Sequence, residues 1–315
     1  DYNDIYDGNL HSMSEVEVTV PENFEDDDYS VQFAKAEERP AADAGVWQEG
    51  RQITFRNVSD STNENTGVHY WYMVTFDGDN YAPVIDEVNV TINPATLTLS
   101  STLPDKKQLT RPYDGTVELP TGQAPTDTSR GLLTDDGKIA VTAAYADKNA
   151  DKNAADSKDV VVTYTITFEG DKAGNYTVSG NLTKDESTDA DGKTVWTVKE
   201  TVKDAGRITP KAVTVTVPDQ TMTYSGGTAF TVGESGIPCT VTEGVVPGES
   251  LTASIAAGKT GTAASKDVNA TSNQITFAAD AVGLAEGNDR TNAANYQVVG
   301  PVTAGLTIVP RKITL

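Results

Sequence analysis

Catalysis and tight metal binding draw on a short list of side chains, and this chain of 315 residues places few of them together. It has two histidines, His11 and His69, with no third ligand near either in sequence. His69 alternates within a β-type stretch beside Trp71, so it reads as a packed or surface strand residue. Cys239 is the lone cysteine. It lacks a basic neighbour, reads as a small apolar residue and excludes an internal disulfide. An enzyme needs an activated nucleophile, an acid/base pair or a metal. No nucleophile elbow, phosphate loop or zinc spacing occurs, so the chain is not expected to be an enzyme, and no catalytic or cofactor-binding residue is assigned.

Hard oxygen ligands are more plentiful. Asp26 and Asp28, inside Glu25-Asp26-Asp27-Asp28, and Asp185, Asp189 and Asp191 ahead of Gly192 are the calcium candidates. Neither group has the twelve-residue spacing of an EF-hand loop, and solvated turns account for both. No cofactor other than calcium comes into question. Aromatic faces stack on sugars as they pack in cores. Trp47, Trp71, Tyr72 and Trp196 are the rings available. Trp196 and Trp47 are the ligand-binding candidates, Trp196 because an inserted hairpin has little core to fill.

The strongest pattern is a repeat. Tyr6-Asp7-Gly8, Tyr113-Asp114-Gly115 and Tyr224-Ser225-Gly226 open three units, and Asn80-Tyr81, Asn175-Tyr176 and Asn295-Tyr296 stand late in each. Every unit closes on a proline (Pro94, Pro210, Pro310) followed by alternating threonine and aliphatic residues. The spacing of roughly 110 residues fits one small β-sandwich and is too long for a solenoid. Installing one catalytic site three times would be unusual, so the repeated tyrosines read as structural. Asparagine tolerates the left-handed turn, the ring fills a core edge, and the glycine makes a tight turn.

Around these markers the elements are strands. Val160, Val162, Tyr164, Ile166 and Phe168 share one face of a two-residue period, while Val161, Thr163, Thr165 and Thr167 share the other. No stretch has a capped helical period. The sequence therefore predicts an all-β chain of three tandem Ig-like β-sandwich domains in an elongated array, with a β-grasp-like unit as the alternative for a single domain. Their expected bounds are 1–93, 94–209 and 210–309, with 310–315 opening a further repeat. Five residues precede Tyr6, whereas eighteen lie between Pro94 and Tyr113. The first strand of the first domain is accordingly missing or supplied from upstream, and the chain reads as a piece of a longer protein. The middle domain carries an inserted hairpin over about 181–201 and a duplicated loop, Asp147-Lys148-Asn149-Ala150 followed by Asp151-Lys152-Asn153-Ala154.

Net charge is −22, from 24 basic and 46 acidic residues. Such a chain repels phosphate, so nucleic acid and direct membrane contact are not expected, and the charge favours a soluble monomer. No apolar run approaches a membrane span.

Pro112-Tyr113-Asp114-Gly115-Thr116, Tyr145-Ala146-Asp147-Lys148-Asn149-Ala150 and Gly174-Asn175-Tyr176-Thr177-Val178 resemble the YDG repeats of large bacterial surface proteins and adhesins. The third unit is similar to the related MBG repeats through Ile208-Thr209-Pro210-Lys211, Tyr224 and Asn292-Ala293-Ala294-Asn295-Tyr296, and the first matches more loosely. The resemblance implies an extracellular place on a bacterial cell surface, as a stalk or spacer projecting a distal binding module. Two alternatives stay open: a module binding host or environmental glycans or glycoproteins, and an ancillary region of a large secreted enzyme. Surface adhesins can also close Lys–Asn isopeptide bonds, for which Lys107 or Lys211 would have to face a late asparagine.

Overall fold

Strict alternation of branched and polar residues leaves the chain little choice but β-structure, and the computed structural model is all-β, its helical content confined to short 3-10 turns among the described residues. All residues are described except 14–17, 20–27, 49–51, 64–65, 79–80, 147–151, 181, 269 and 315. They form two compact units. One holds residues 1–102, 126–141 and 163–200, and the other holds 103–125, 142–162 and 201–315.

In the first unit, Tyr29–Lys35, Tyr70–Phe76 and Val84–Val88 make an antiparallel sheet. Phe33, Phe55, Tyr70, Met73 and Val74 are buried there. The strand Tyr2–Ile5 runs parallel to Val90–Asn93. It is the counterpart of Thr110–Pro112 and Gln220–Thr223, the strands that lead into the other two Tyr-x-Gly turns. The alternation read at 160–168 is realised in the strand Ala155–Phe168, whose even-numbered residues from Val160 onward are fully buried.

The inserted hairpin forms as expected, Lys184–Thr188 pairing antiparallel with the start of the long strand Thr194–Thr209. It does have a core to fill. Trp196 is 2% exposed, packed edge-on against Phe168 with ring centroids 4.7 Å apart. Its Nε1 donates to Glu186 at 2.9 Å. Because the returning strand continues into a buried sheet, the hairpin is held down on that sheet and its indole points inward.

Two five-stranded sheets make up most of the second unit. One orders Val282–Glu286, Leu251–Ile255, Ile237–Glu243, Lys211–Thr216 and Tyr296–Val298; the other orders Gln220–Thr223, Val302–Val309, Gln274–Phe277, Thr260–Ala263 and Ala229–Thr231. Val213, Ile255, Ile275, Phe277, Leu306 and Ile308 fill the sandwich between them. The same buried cluster continues without a break into Leu109, Tyr113, Tyr145, Val160 and Ile208.

Pro94 and Pro210 each stand alone between two strands, after Asn93 and Thr209 and before Ala95 and Lys211. A residue with fixed φ and no N–H ends one ladder and starts the next within a single step. Pro310 likewise follows the strand Val302–Val309 directly.

Candidate functional site

Two of the Tyr-x-Gly tyrosines, Tyr6 and Tyr113, meet two of the Asn-Tyr tyrosines, Tyr176 and Tyr296, and each pair joins two successive repeats. A strand parallel to the last strand of its own repeat delivers each Tyr-x-Gly tyrosine. The backbone N–H of Tyr6 donates to the Asn93 carbonyl at 2.8 Å, that of Tyr113 to Thr209 at 2.8 Å, and that of Tyr224 to Val309 at 2.9 Å. A tight turn follows, with φ of +80° at Gly8, +82° at Gly115 and +83° at Gly226. Only glycine adopts that region without strain. Asp7 and Asp114 brace the turn by accepting the backbone N–H two residues on, from Asn9 and Thr116. Hydrogen bonds from His11 and Asn9 hold the Asp7 carboxyl down at about 2.

Tyr176 and Tyr296 come at the end of a 3-10 turn, Lys172–Asn175 or Ala293–Asn295. Each then begins a short strand parallel to the one that opens its own repeat, Tyr176–Val178 on Ala95–Leu97 and Tyr296–Val298 on Lys211–Val213.

In the first unit Tyr6 and Tyr176 lie edge to face, 5.5 Å apart at 80°. Both hydroxyls donate to the same oxygen, Oδ2 of buried Asp136, at 2.6 Å each. In the second unit Tyr113 and Tyr296 repeat the arrangement at 5.6 Å and 80°. There the hydroxyls donate to the two oxygens of Glu249, at 2.5 and 2.8 Å. Backbone N–H groups complete each joint, Leu133 donating to the Tyr176 hydroxyl and Val246 to that of Tyr296. The glycines let the repeats close, since a Cβ on Gly8 would come within 2.6 Å of Leu133 and one on Gly115 within 2.9 Å of Val246.

Asparagine acts as the second clasp. Asn175 accepts from the Val58 N–H at 2.9 Å and donates to Asn57; Asn295 accepts from the Ala154 N–H at 2.8 Å and donates to Asn153. Both asparagines are buried. Lys211 stands opposite Tyr296 in the strand ladder, while the Asn295 amide is engaged with Asn153 and Ala154.

Burial and the neighbouring carboxylate raise the pKa of all four tyrosines. For Tyr296, burial comes first and Glu249 adds to it against the Val246 N–H, pushing the phenol up to about 12. Tyr6, Tyr113 and Tyr176 rise further for the same causes, with Asp136 or Glu249 as the partner. Phenols so displaced are neutral hydrogen-bond donors at neutral pH.

The remaining residues singled out in the sequence are scattered. Tyr224 is 38% exposed, against 4% for Tyr6 and 1% for Tyr113. Tyr81 is half exposed and packs on Phe76, and its neighbour Asn80 lies outside the described residues. Asp26 lies outside them too. Asp189 accepts from the backbone N–H groups of Asp191 and Lys193, which makes it a turn cap, and Asp185 is exposed on the hairpin strand. Among the described residues, Asp28 included, no three histidine, cysteine, aspartate or glutamate side chains gather as metal ligands would. Trp47 is half-buried with its Nε1 donating to Ala41, and Trp71 donates to Ala36. His11 pairs with Asp7 and His69 with Glu87.

Asp136 and Glu249 are the functional residues that the sequence reading passed over. Their signal is a shared spacing: Gly131-Leu132-Leu133-Thr134-Asp135-Asp136 and Gly244-Val245-Val246-Pro247-Gly248-Glu249 both read glycine, any residue, aliphatic, any two, acid.

No curated protein matches the chain. Among solved structures, immunoglobulin domains 1–5 of Sidekick-1 align with 98% of this chain at 11% identity and a TM-score of 0.29. The N-terminal eight Ig domains of Down Syndrome Cell Adhesion Molecule isoform 1.30.30 align with 98% at 7% identity and a TM-score of 0.17. The chain spans 57% and 53% of those two structures. Residues 93–184, which carry Tyr113-Asp114-Gly115, Asp136 and Asn175-Tyr176, match the family model of the YDG domain, and that stretch is YDG-like.

Proposed function

We propose that this chain is a spacer segment of a bacterial cell-surface adhesin, extracellular and non-catalytic, whose three tandem repeats carry load and hold a distal binding module away from the cell wall. One arrangement carries the reading. In all three repeats the strand leading into Tyr-x-Gly pairs in parallel with the closing strand: Tyr2–Ile5 with Val90–Asn93, Thr110–Pro112 with Arg207–Thr209, and Gln220–Thr223 with Leu306–Val309. Tension entering by the N-terminal end of one such strand and leaving by the C-terminal end of the other draws the two past each other along their length. The hydrogen bonds of the ladder then resist together, whereas a hairpin pulled open breaks them one at a time. Single-residue proline joins and the tyrosine–carboxylate clasps leave little slack between neighbouring repeats.

The test is to stretch the chain by its termini in a force spectrometer. Discrete high-force ruptures are expected. Met222→Pro should weaken one of them, because alternate residues of a strand point the same way and the Tyr224 N–H already faces Val309. Smooth low-force extension would remove the spacer reading. Specific binding of the chain to a glycan array, lost on Trp47→Ala, would replace it with the glycan-binding alternative.

A further inference from the structure

The third Tyr-x-Gly turn shares the backbone anchor and the glycine of the other two, with Ser225 in place of the aspartate, and among the described residues no tyrosine pair or carboxylate meets it. Tyr224 receives the same backbone anchor from Val309, and Gly226 has the same positive φ. Yet a Cβ on Gly226 would meet no atom within 4 Å, where those on Gly8 and Gly115 would strike Leu133 and Val246. Among the described residues no hydrogen bond reaches the Tyr224 hydroxyl, and its ring is 38% exposed where its two counterparts are buried. A glycine held at φ +83° beside an exposed phenol gives the isolated turn no packing in return. At both other copies a second tyrosine, a carboxylate and an aliphatic side chain close on the same turn.

We propose that the Tyr224-Ser225-Gly226 edge is a docking surface for a further β-domain of this same repeat type. The occupant must present an Asn-Tyr corner whose ring meets Tyr224 edge to face. It must also present a carboxylate, at the position of Asp136 or Glu249, that accepts from the Tyr224 hydroxyl, and an aliphatic residue three places before that acid to fill the space over Gly226. The two closed joints differ in acid and in aliphatic residue but keep one geometry, and that geometry defines the occupant. The inference rests on that geometry and holds whether or not the chain bears load.

The test extends the full chain past Leu315 with a second copy of residues 216–309. The register is kept because Pro310-Arg311-Lys312-Ile313-Thr314-Leu315 stands in for Pro210-Lys211-Ala212-Val213-Thr214-Val215. A second extension uses a copy of residues 100–209, which brings Asp136 and Tyr176. Nitration of Tyr224 by tetranitromethane is followed by peptide mass spectrometry. In the 315-residue chain Tyr224 should react readily while Tyr6 and Tyr113 stay protected. In the extended chains Tyr224 should react about tenfold more slowly, equivalent to about 1.4 kcal/mol of joint closure. Glu249→Ala with Tyr296→Ala, made in the added copy alone, should restore the fast rate. Unchanged Tyr224 reactivity in both extended chains overturns the proposal, and so does protection that survives the double substitution.

Discussion

Single hydroxyls decide how firmly the repeats hold each other. Asp136 is buried and takes two short hydrogen bonds from phenols, with the Lys172 ammonium 3.8 Å away as its nearest countercharge. A hydrogen bond to a charged group contributes about 1.5–3 kcal/mol, so Tyr176→Phe should lower unfolding free energy by that much in urea titration. Tyr224→Phe, at an exposed ring, should stay within about 0.5 kcal/mol. A small effect at Tyr176 would deny the clasp its energetic role. Alkali should open the joints as well. The folded-state Tyr296 phenol sits above the ordinary 10.0, so it binds its proton more tightly than in the unfolded chain. Its contribution is complete below pH 10 and is lost as pH rises towards about 12. The melting temperature should fall over that window, and less steeply in Tyr296→Phe. The tyrosines themselves were plain in the sequence because they recur. Their pairing was not, since Tyr6 meets Tyr176 across a repeat boundary and the acid between them stands 130 and 40 residues away.

Strands and turns were more legible than side-chain partners, because a two-residue period fixes which face is buried whatever the topology. That logic placed Val160 through Phe168 correctly, while the hairpin expected over about 181–201 from the extra length before Pro210 has its outgoing strand at Lys184–Thr188. It misjudged Trp196, because hairpin length says nothing about whether the returning strand joins a larger sheet. A turn that escaped notice links element to joint. Gly131 and Gly244 adopt φ of +100° and +93°, and a Cβ there would drive into the carbonyl oxygens of Thr96 and Ala212. Both lie five residues before the joint acid. Replacing either with alanine combines a left-handed backbone with a backbone clash, and about 1–3 kcal/mol should be lost. Gly122→Ala shares the positive φ but has open space around it, so the larger loss at Gly131 in thermal melts isolates the clash. Equal losses at the two positions would leave φ alone as the cause.

At the scale of the whole chain, charge opposes folding while the joints favour it. A net charge of −22 over 315 residues means that compaction brings carboxylates together. The joint carboxylates escape this opposition because each is held by neutral phenols, whose raised pKa keeps them protonated. Salt should separate the two effects. Raising ionic strength from about 0.01 M to about 0.15 M shortens the screening length from roughly 30 Å to roughly 8 Å. That range covers repulsion between surface acids but not a hydrogen bond of 2.6 Å. The melting temperature of the chain should therefore rise with added sodium chloride. The Glu249→Gln variant should melt lower at every salt concentration yet rise with the same slope, because the contact it weakens is a half-buried hydrogen bond much shorter than the screening length. A slope that flattens in the variant would mean that Glu249 acts through the surface field, and the joint would then be an electrostatic accident of an acidic chain.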